Sequence, residues 1–545
     1  MSRGRVALRI TLRQQRTGWV ACALLSGAVA LGTAASFPSV VGTTAEQRLA
    51  SARQFAALAK PISVLLPIPA GVDTLGGYVQ WRVFGGLPFL LAAWAVVAGV
   101  NAIRGEEERG LLEQWLAAGI PRARWLLVRA VGFAVAVATI GLLVAVAAAA
   151  GASLGGGLLP LGPLVGICAA LAALTLACFG IALVAAETAS TRRTGLVLAG
   201  VWLGGLHLLN SVPRSAGHVP PSRWLSPFYW YERSNPLTPG GHLDLPATAG
   251  LAATGILLVG LAGVLLSRRD LGGSLLTLRP AGTARVLEPA PNPVWRMGPL
   301  AAVYEQRLAL LGWVAVAGVL ALALASLIRP IVQALQTTPA TRGSSRLLAA
   351  GDPTLVLLGY FLFGTLQLLV ALYALTEAGR WADDDRTGRL EMRLSAPVTR
   401  SRVVLERALA LLAGLALLAV AGTAAGWLGA RTQGVRLPAG SLIVAAAALL
   451  PFGLSLGAAG AVLTGWRPRV TQVGLGSLIA VCFLLLEFGI VFDWPAWLVR
   501  LSVFAWYGTP LATGIWWPGL AALVAISAAG FAVAIASLHH HDIGQ

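Results

Sequence analysis

Charged side chains are scarce in this chain, and their scarcity excludes a soluble fold. Only 11% of the 545 residues are Asp, Glu, Lys or Arg, whereas 57% are hydrophobic. A soluble globular domain averages about 25% charged residues. Too few charges remain to cover a water-exposed surface, so the composition predicts a membrane protein.

Lysine and cysteine are almost absent. The sole lysine, Lys60, lies in an Ala-Lys-Pro context. A P-loop needs Gly-x-x-x-x-Gly-Lys-Ser/Thr, so the chain has no such motif, and any energy that it uses must come from a partner or an ion gradient. The cysteines Cys22, Cys168, Cys178 and Cys482 fall inside predicted spans without CxxC spacing, which predicts packing roles rather than disulfides or a metal site.

Long apolar runs are abundant instead. A run of about 20 residues is enough for a helix to cross the bilayer core. Six such runs begin near residues 18, 83, 126, 158, 194 and 247, and six more begin near 308, 353, 403, 438, 471 and 512. Backbone polar groups in lipid must be satisfied internally, so the predicted fold is all-α, a polytopic protein with about twelve transmembrane helices.

The arginines predict the orientation of the chain. With the N-terminus inside, most of the 40 lysine and arginine residues lie in cytoplasmic segments, as the positive-inside rule requires. Both termini are therefore predicted to be cytoplasmic. Arginine in place of nearly all lysine suggests a GC-rich bacterial genome, and hence a bacterial cytoplasmic membrane. The net charge of +18 then reflects topology, and no nucleic-acid partner is expected because no soluble basic face is present.

One stretch of sequence occurs twice, each time after the second apolar run of a half. Gly110-Leu111-Leu112-Glu113 matches Gly388-Arg389-Leu390-Glu391 at an offset of 278 residues, from Glu113 to Glu391. At this offset Leu116 matches Leu394, and the arginines at 122, 124 and 129 match those at 400, 402 and 407. Acidic clusters precede both copies: Glu106-Glu107-Glu108, followed by Arg109, and Asp383-Asp384-Asp385. The duplication predicts a docking surface for a cytosolic partner.

Other repeats predict two homologous halves. Leu225-Ser226, Phe228 and Trp230-Tyr231 reappear as Leu501-Ser502, Phe504 and Trp506-Tyr507. Gly18-Trp19-Val20-Ala21 recurs as Gly312-Trp313-Val314-Ala315 at the seventh run, so the first run is predicted to be a retained span and not a cleaved signal. We predict six-helix halves of parallel topology at 1–267 and 300–545, joined by a cytoplasmic linker at 268–299.

The first copy is predicted to form one amphipathic helix from Glu106 to Ala118. Leu111, Leu112, Trp115 and Leu116 would share a face, with the acids at the N-terminal end, where the helix dipole favours them. An ordinary interfacial helix with snorkelling arginines is the alternative. Two equivalent copies favour the docking element.

The order of these motifs resembles the permease subunits of ABC-2-type exporters. The fused double unit, with Arg268-Arg269-Asp270-Leu271-Gly272 and Leu278-Arg279-Pro280 in its linker, resembles exporters of polyketide antibiotics of the tetronasin type, and so does Gly71-Val72-Asp73-Thr74 followed by Gly76-Gly77 and Trp81-Arg82. The resemblance implies a coupling helix after the second span of each half, a surface connecting helix at Arg3–Arg16, and two copies of a separate ATPase subunit that carries ATP and Mg²⁺. The chain itself is expected to bind no cofactor and to export an amphipathic small molecule.

The coupling residues implied by the resemblance occupy both copies. They are Glu106, Glu107, Glu108, Arg109, Gly110, Leu112, Glu113, Leu116, Arg122, Arg124, Asp383, Asp384, Asp385, Gly388, Leu390, Glu391, Leu394, Arg400 and Arg402. The second copy departs from the pattern, because aspartates replace glutamates and Thr387 replaces Arg109. From these differences in sequence, the two docking sites are expected to be unequal.

The outer side offers weaker candidates. Trp230, Tyr231, Trp506 and Tyr507 predict either an interfacial aromatic belt or the lining of a substrate exit. Asn210 and Glu487 lie at nearly matching positions of the fifth and eleventh runs, where a gate and a packing hydrogen bond are both open interpretations. Gln47–Ala59 predicts a surface helix in a long outer segment whose counterpart is Pro330–Asp352.

Two other function classes were weighed. Gly379 to Asp383 and Gly388-Arg389 loosely resemble a loop of major-facilitator transporters, which would make the chain a gradient-driven multidrug carrier. Gly453-Leu454-Ser455-Leu456-Gly457 satisfies Gly-x-Ser-x-Gly but lies inside a predicted span, without the strand–turn–helix context of a nucleophile. No catalytic residue and no metal site is predicted.

Overall fold

The structure is a computed structural model that describes residues 3–63, 66–216, 221–273, 298–329, 332 and 352–540. The model is 81% helical, and no strand occurs in these described ranges. Among the described residues, twelve helices are long and apolar enough to cross a membrane. The predicted all-α polytopic fold is confirmed.

The chain divides into two compact units, Met1–Ala284 and Arg285–Gln545. Six of the candidate spans fall in each unit. Most of the predicted linker lies at residues 274–297, outside the described residues, and so does most of the outer segment Pro330–Asp352.

The first unit contains the α-helices Arg3–Ala35, Phe37–Val40, Ala45–Ile62, Leu75–Arg82, Leu87–Val100, Leu111–Ala117, Arg122–Leu154, Leu161–Thr188, Arg192–Ala216, Pro227–Glu232 and Leu245–Arg268. A π-helical turn at Asn101–Gly105 extends the second span, and a 3₁₀ turn lies at Pro221–Leu225. The basic segment Arg3–Arg16, expected as a connecting helix at the membrane surface, forms the first turns of the helix Arg3–Ala35. The predicted surface helix at Gln47–Ala59 is confirmed by Ala45–Ile62.

The second unit, over its described residues, contains the α-helices Gly298–Ser326, Pro353–Leu358, Gly364–Arg386, Arg389–Leu394, Arg400–Thr432, Ala439–Trp466, Thr471–Val491, Ala496–Val499, Val503–Tyr507 and Trp517–His540. Here the π-helical turn of the second span lies at Gly359–Phe363.

The first and third spans of each unit pack closely at a matched glycine. A Cβ added at Gly151 would lie 2.2 Å from the carbonyl oxygen of Leu31, and one at Gly429 would lie 2.6 Å from that of Leu322. Gly151 and Gly429 are 278 residues apart, the offset of the acidic repeat. Only a residue without a side chain permits this approach, so the repeat extends to the packing of the helices that flank the acidic motif.

Candidate functional site

The two acidic repeats fold into the same kind of hairpin between the second and third spans. We call residues 106–124 the first hairpin and residues 383–402 the second hairpin. In each, the second span ends, a glycine turns the chain, and a short helix follows: Leu111–Ala117 or Arg389–Leu394. The turning residues, Gly110 and Gly388, have φ of 66° and 72°. Side chains disfavour this left-handed conformation, which explains the repeated glycine.

The predicted single helix from Glu106 to Ala118 is wrong. The left-handed glycine interrupts it, so Glu106 and Glu107 belong to the C-terminal end of the long second helix. Helix C-termini repel acids. The acidic cluster therefore needs nearby cations rather than a helix dipole.

The repeated Gly-x-Leu-Glu core buries its leucine and exposes its glutamate. Leu112 and Leu390 are buried within their units, and Leu112 belongs to the main apolar cluster of the first unit. Glu113 and Glu391, the next residues, are exposed. Leu116 and Leu394 are half-buried. Each short helix is thus fastened by a leucine and presents a glutamate outward.

An arginine at the start of the third span fastens each hairpin to the last span of its unit. Nη1 of Arg122 donates to the carbonyl oxygens of Leu266 (2.9 Å) and Arg269 (2.5 Å). Nη1 of Arg400 donates to the carbonyl oxygens at 538 (2.5 Å) and 539 (3.2 Å). The carbonyls at a helix C-terminus lack intrahelical partners, and a cation there is favourable. The sequence showed the arginines but not the helix end that they hold.

Two acids of the first hairpin, Glu106 and Glu107, face inward. Glu106 pairs with Arg129 across the hairpin, and both side chains are buried. Burial raises the pKa of the Glu106 carboxyl, although Arg129 opposes this shift. Glu107 accepts hydrogen bonds from Arg104 at 2.8 Å and Arg269 at 2.5 Å. These two glutamates therefore shape the hairpin from within.

Arg104, Arg269 and Glu187, which are outside the predicted coupling set, form an ion cluster with Glu107. Arg269 also donates to Glu187 at 2.7 Å, and Glu187 is fully buried at the end of the fourth span. Arg104 and Arg269 both donate to the carbonyl oxygen of Gly273, at 2.8 and 2.5 Å. Arg104 and Arg269 balance Glu107 and Glu187 in a nearly dry cluster, where unpaired charge would be costly, and the Glu106–Arg129 pair is balanced separately. Glu187 inside an apolar run was the one sequence signal for such a network.

The acids of the second hairpin are more open. Asp383 pairs with Arg386 at 3.6 Å. Asp384 lies 3.5 Å from Arg389 and 3.9 Å from Arg407, which matches Arg129 of the first unit. Nε and Nη2 of Arg407 are buried and make no hydrogen bond. Asp385 is half-buried.

Two departures in sequence preserve one contact. In the first hairpin, Nε of Arg109 donates to the carbonyl oxygen of Gly105 at 2.6 Å. In the second, the hydroxyl of Thr387 donates to the carbonyl oxygen of Asp383 at 2.7 Å. Both bonds reach back four residues to the end of the second span, so Thr387 replaces Arg109 in this contact but not in charge.

The remaining predicted residues of the first hairpin lie on its surface. Glu108 is exposed and accepts a hydrogen bond from the backbone N–H of Arg192 at 2.7 Å. Arg124 is exposed, as is Arg402 in the second hairpin.

The outer aromatic residues make repeated local contacts. The indole N–H of Trp230 donates to the carbonyl oxygen of Trp224 at 2.8 Å, and that of Trp506 donates to Arg500 at 2.6 Å, six residues back in both cases. The hydroxyl of Tyr231 donates to the carbonyl oxygen of Phe84 at 2.8 Å, and that of Tyr507 donates to the carbonyl oxygen of Ala445 at 3.0 Å. Burial raises the pKa of both tyrosines well above the ordinary value. These contacts stabilise the loops that carry the aromatic residues, and a place on a substrate route stays a prediction.

Asn210 and Glu487 each have a partner within their own unit. The side-chain oxygen of Asn210 accepts hydrogen bonds from Arg223 at 3.0 and 3.2 Å. The carboxylate of Glu487 accepts one from the hydroxyl of Tyr360 at 3.0 Å. Packing contacts thus exist at both positions, and the gating interpretation stays a prediction.

Comparison with known families accounts for both units. Residues 10–271 match the family described as ABC-2 family transporter protein. Residues 298–538 match the family described as multidrug efflux system permease Rv1217c, C-terminal domain. The chain belongs to the ABC-2 family of transporter permeases. No curated protein matched the chain in a sequence search.

Membership confirms the resemblance predicted from the repeated motif. This ABC-2 permease is a multi-pass membrane transport subunit, and its family implies a partner ATPase. The narrower likeness to exporters of the tetronasin type stays a prediction. Neither match supports the gradient-driven alternative of the major-facilitator type.

Proposed function

We propose that this permease is the membrane subunit of a bacterial ATP-driven exporter and supplies both permease halves in one polypeptide. Two copies of a separate soluble ATPase bind ATP and Mg²⁺, and one copy docks on each hairpin from the cytoplasm. The observation that carries the proposal is the recurrence of one hairpin design in two units of an ABC-2 chain: a left-handed glycine, a buried leucine and an exposed glutamate.

The arginine contacts give the hairpins a route to the membrane helices. Arg122 joins the start of the third span to the end of the sixth, and Arg400 does the same in the second unit. A push on the short helix therefore reaches three spans: the second through the glycine turn, the third through the chain, and the sixth through the arginine. ATP-driven closure of the ATPase dimer would move these ends and open the route outward.

The substrate is proposed to be an amphipathic small molecule, such as a drug or a polyketide antibiotic. The family that matches the second unit carries multidrug efflux in its description, which supports this class. The spans are mostly apolar, which is compatible with such a substrate.

The docking proposal is tested with Glu113→Ala and Glu391→Ala in proteoliposomes that contain the permease and a soluble P-loop ATPase encoded beside it. Because both side chains are exposed on the short helices, their loss is expected to uncouple ATP hydrolysis from transport without unfolding the chain. Glu46→Ala, exposed on the outer helix Ala45–Ile62, is the matched control. Unchanged transport in the double variant would reject the docking role. Transport by the permease alone, driven by a proton gradient without ATP, would support the carrier alternative instead.

A further inference from the structure

The two hairpins differ in charge at positions that correspond by the 278-residue offset. Leu111 of the first short helix corresponds to Arg389 of the second, and Trp115 corresponds to Arg393. The first short helix, Leu111–Ala117, contains one charged residue, Glu113, and has a net charge of −1. The second, Arg389–Leu394, contains two arginines and one glutamate and has a net charge of +1.

A third difference positions one of the new arginines, Arg393. Val128 in the third span of the first unit corresponds to Glu406 in the second. The Glu406 carboxylate is almost buried and accepts hydrogen bonds from Arg393 at 3.1 Å and Arg402 at 3.0 Å. One carboxylate therefore positions two guanidinium groups, and a positive charge remains in excess.

Asp384 likewise lies close to two arginines. It lies between Arg389 at 3.5 Å and Arg407 at 3.9 Å. Two carboxylates thus serve four arginines, three of which are widely exposed: Arg389 by 69%, Arg393 by 47% and Arg402 by 63%. At the first hairpin, three arginines instead pair with three glutamates in buried contacts without an excess of charge, and Trp115 packs against the apolar core.

We propose that the second hairpin binds an acidic surface of an ATPase subunit, whereas the first hairpin binds its ATPase subunit through Glu113 and apolar contacts. The proposal rests on the proposed function and makes the two docking sites non-interchangeable. An anionic lipid surface is the competing occupant. Glu391 is exposed on the same short helix as Arg389 and Arg393, and a lipid headgroup layer would repel it. A protein surface can pair with charges of both signs.

The test measures binding of the ATPase to the full chain in nanodiscs of phosphatidylcholine alone. Arg389→Glu/Arg393→Glu is expected to weaken binding about ten-fold or more at low salt, because two attractive contacts become repulsive, and high salt should shrink the difference. Arg389→Lys/Arg393→Lys preserves charge and should bind nearly as the unmodified chain does. Arg436→Glu, an exposed reversal in the loop before the helix Ala439–Trp466, is the matched control.

Each other outcome decides against part of the account. Equal binding by the charge-reversed variant would overturn the acidic-surface proposal while leaving ATPase docking intact. A binding defect that appears only when phosphatidylglycerol is added to the nanodiscs would assign the arginines to lipid. Failure of the unmodified chain to bind any ATPase would reject the proposed function itself, and this proposal with it.

Discussion

The distance between Asp384 and Arg407 predicts that a longer acidic side chain at position 384 would pair with Arg407. Glu106 and Asp384 occupy matched positions, and so do Arg129 and Arg407. The glutamate reaches its arginine, whereas the aspartate stops 3.9 Å away, beyond hydrogen-bond distance. One extra methylene adds about 1.3 Å of reach along the chain. Asp384→Glu should therefore close the gap.

The expected magnitude follows from the burial of Arg407. Its Nε and Nη2 make no hydrogen bond, and a cavity of about 20 Å³ borders the side chain. A new hydrogen bond between charged groups contributes about 1.5–3 kcal/mol, less about 0.5 kcal/mol for the extra side-chain freedom lost. We expect Asp384→Glu to stabilise the second hairpin by about 1–2 kcal/mol, which slows its opening roughly ten-fold.

The reciprocal change should act in the opposite direction on the first unit. Glu106→Asp retracts the carboxylate from buried Arg129, and breaking such a pair costs up to about 3–5 kcal/mol. Hydrogen exchange measured by mass spectrometry in nanodiscs reports each hairpin separately through peptides covering 106–117 and 384–394. Asp383→Glu, an exposed neighbour, controls for the added methylene. Unchanged exchange in both hairpins would refute the argument from acid length.

Two further predictions concern the shared framework of the hairpins. Gly110→Val and Gly388→Val should each destabilise their turn by about 1–2 kcal/mol, because valine disfavours the left-handed backbone. At Gly110 the backbone is the whole effect, since no atom lies within 4 Å of an added Cβ. Asparagine tolerates this conformation, so Gly→Asn at either site should cost less when the variants are compared by hydrogen exchange. Arg122→Gln should destabilise the end of the sixth span by about 3 kcal/mol, since two hydrogen bonds to carbonyls are lost, and should raise hydrogen exchange in residues 262–273. Arg268 is exposed on the same helix, so Arg268→Gln is the control and should leave exchange there unchanged.

The sequence predicted what depends on local pattern. Runs of apolar residues predict the twelve spans, and the offset between Glu113 and Glu391 locates both hairpins. Leu112 and Glu113 are neighbours on a short helix and project about 100° apart, so one side chain is buried while the other is exposed. The left-handed glycine could have been inferred from its recurrence, because it precedes a leucine and a glutamate at both sites.

The ion network could not be predicted in the same way. Glu106 and Glu107 were predicted to belong to the docking surface, yet they face inward. Arg129 pairs with Glu106, and Arg104 and Arg269 pair with Glu107. Arg269 is 162 residues from Glu107 along the chain, and no spacing rule connects them. Tertiary packing decides whether an acid in such a cluster faces a partner or a neighbouring helix.

Photo-crosslinking from the hairpins tests the central claim most directly. A photoreactive residue is placed at Glu113 or at Glu391, and at Glu46 as the control on the outer helix, in the full chain co-expressed with a soluble P-loop ATPase encoded beside it. Docking at both hairpins predicts ATP-sensitive capture of the ATPase from both hairpin positions and none from Glu46. Absence of the ATPase from both hairpin adducts, while it still supports transport, would contradict the account.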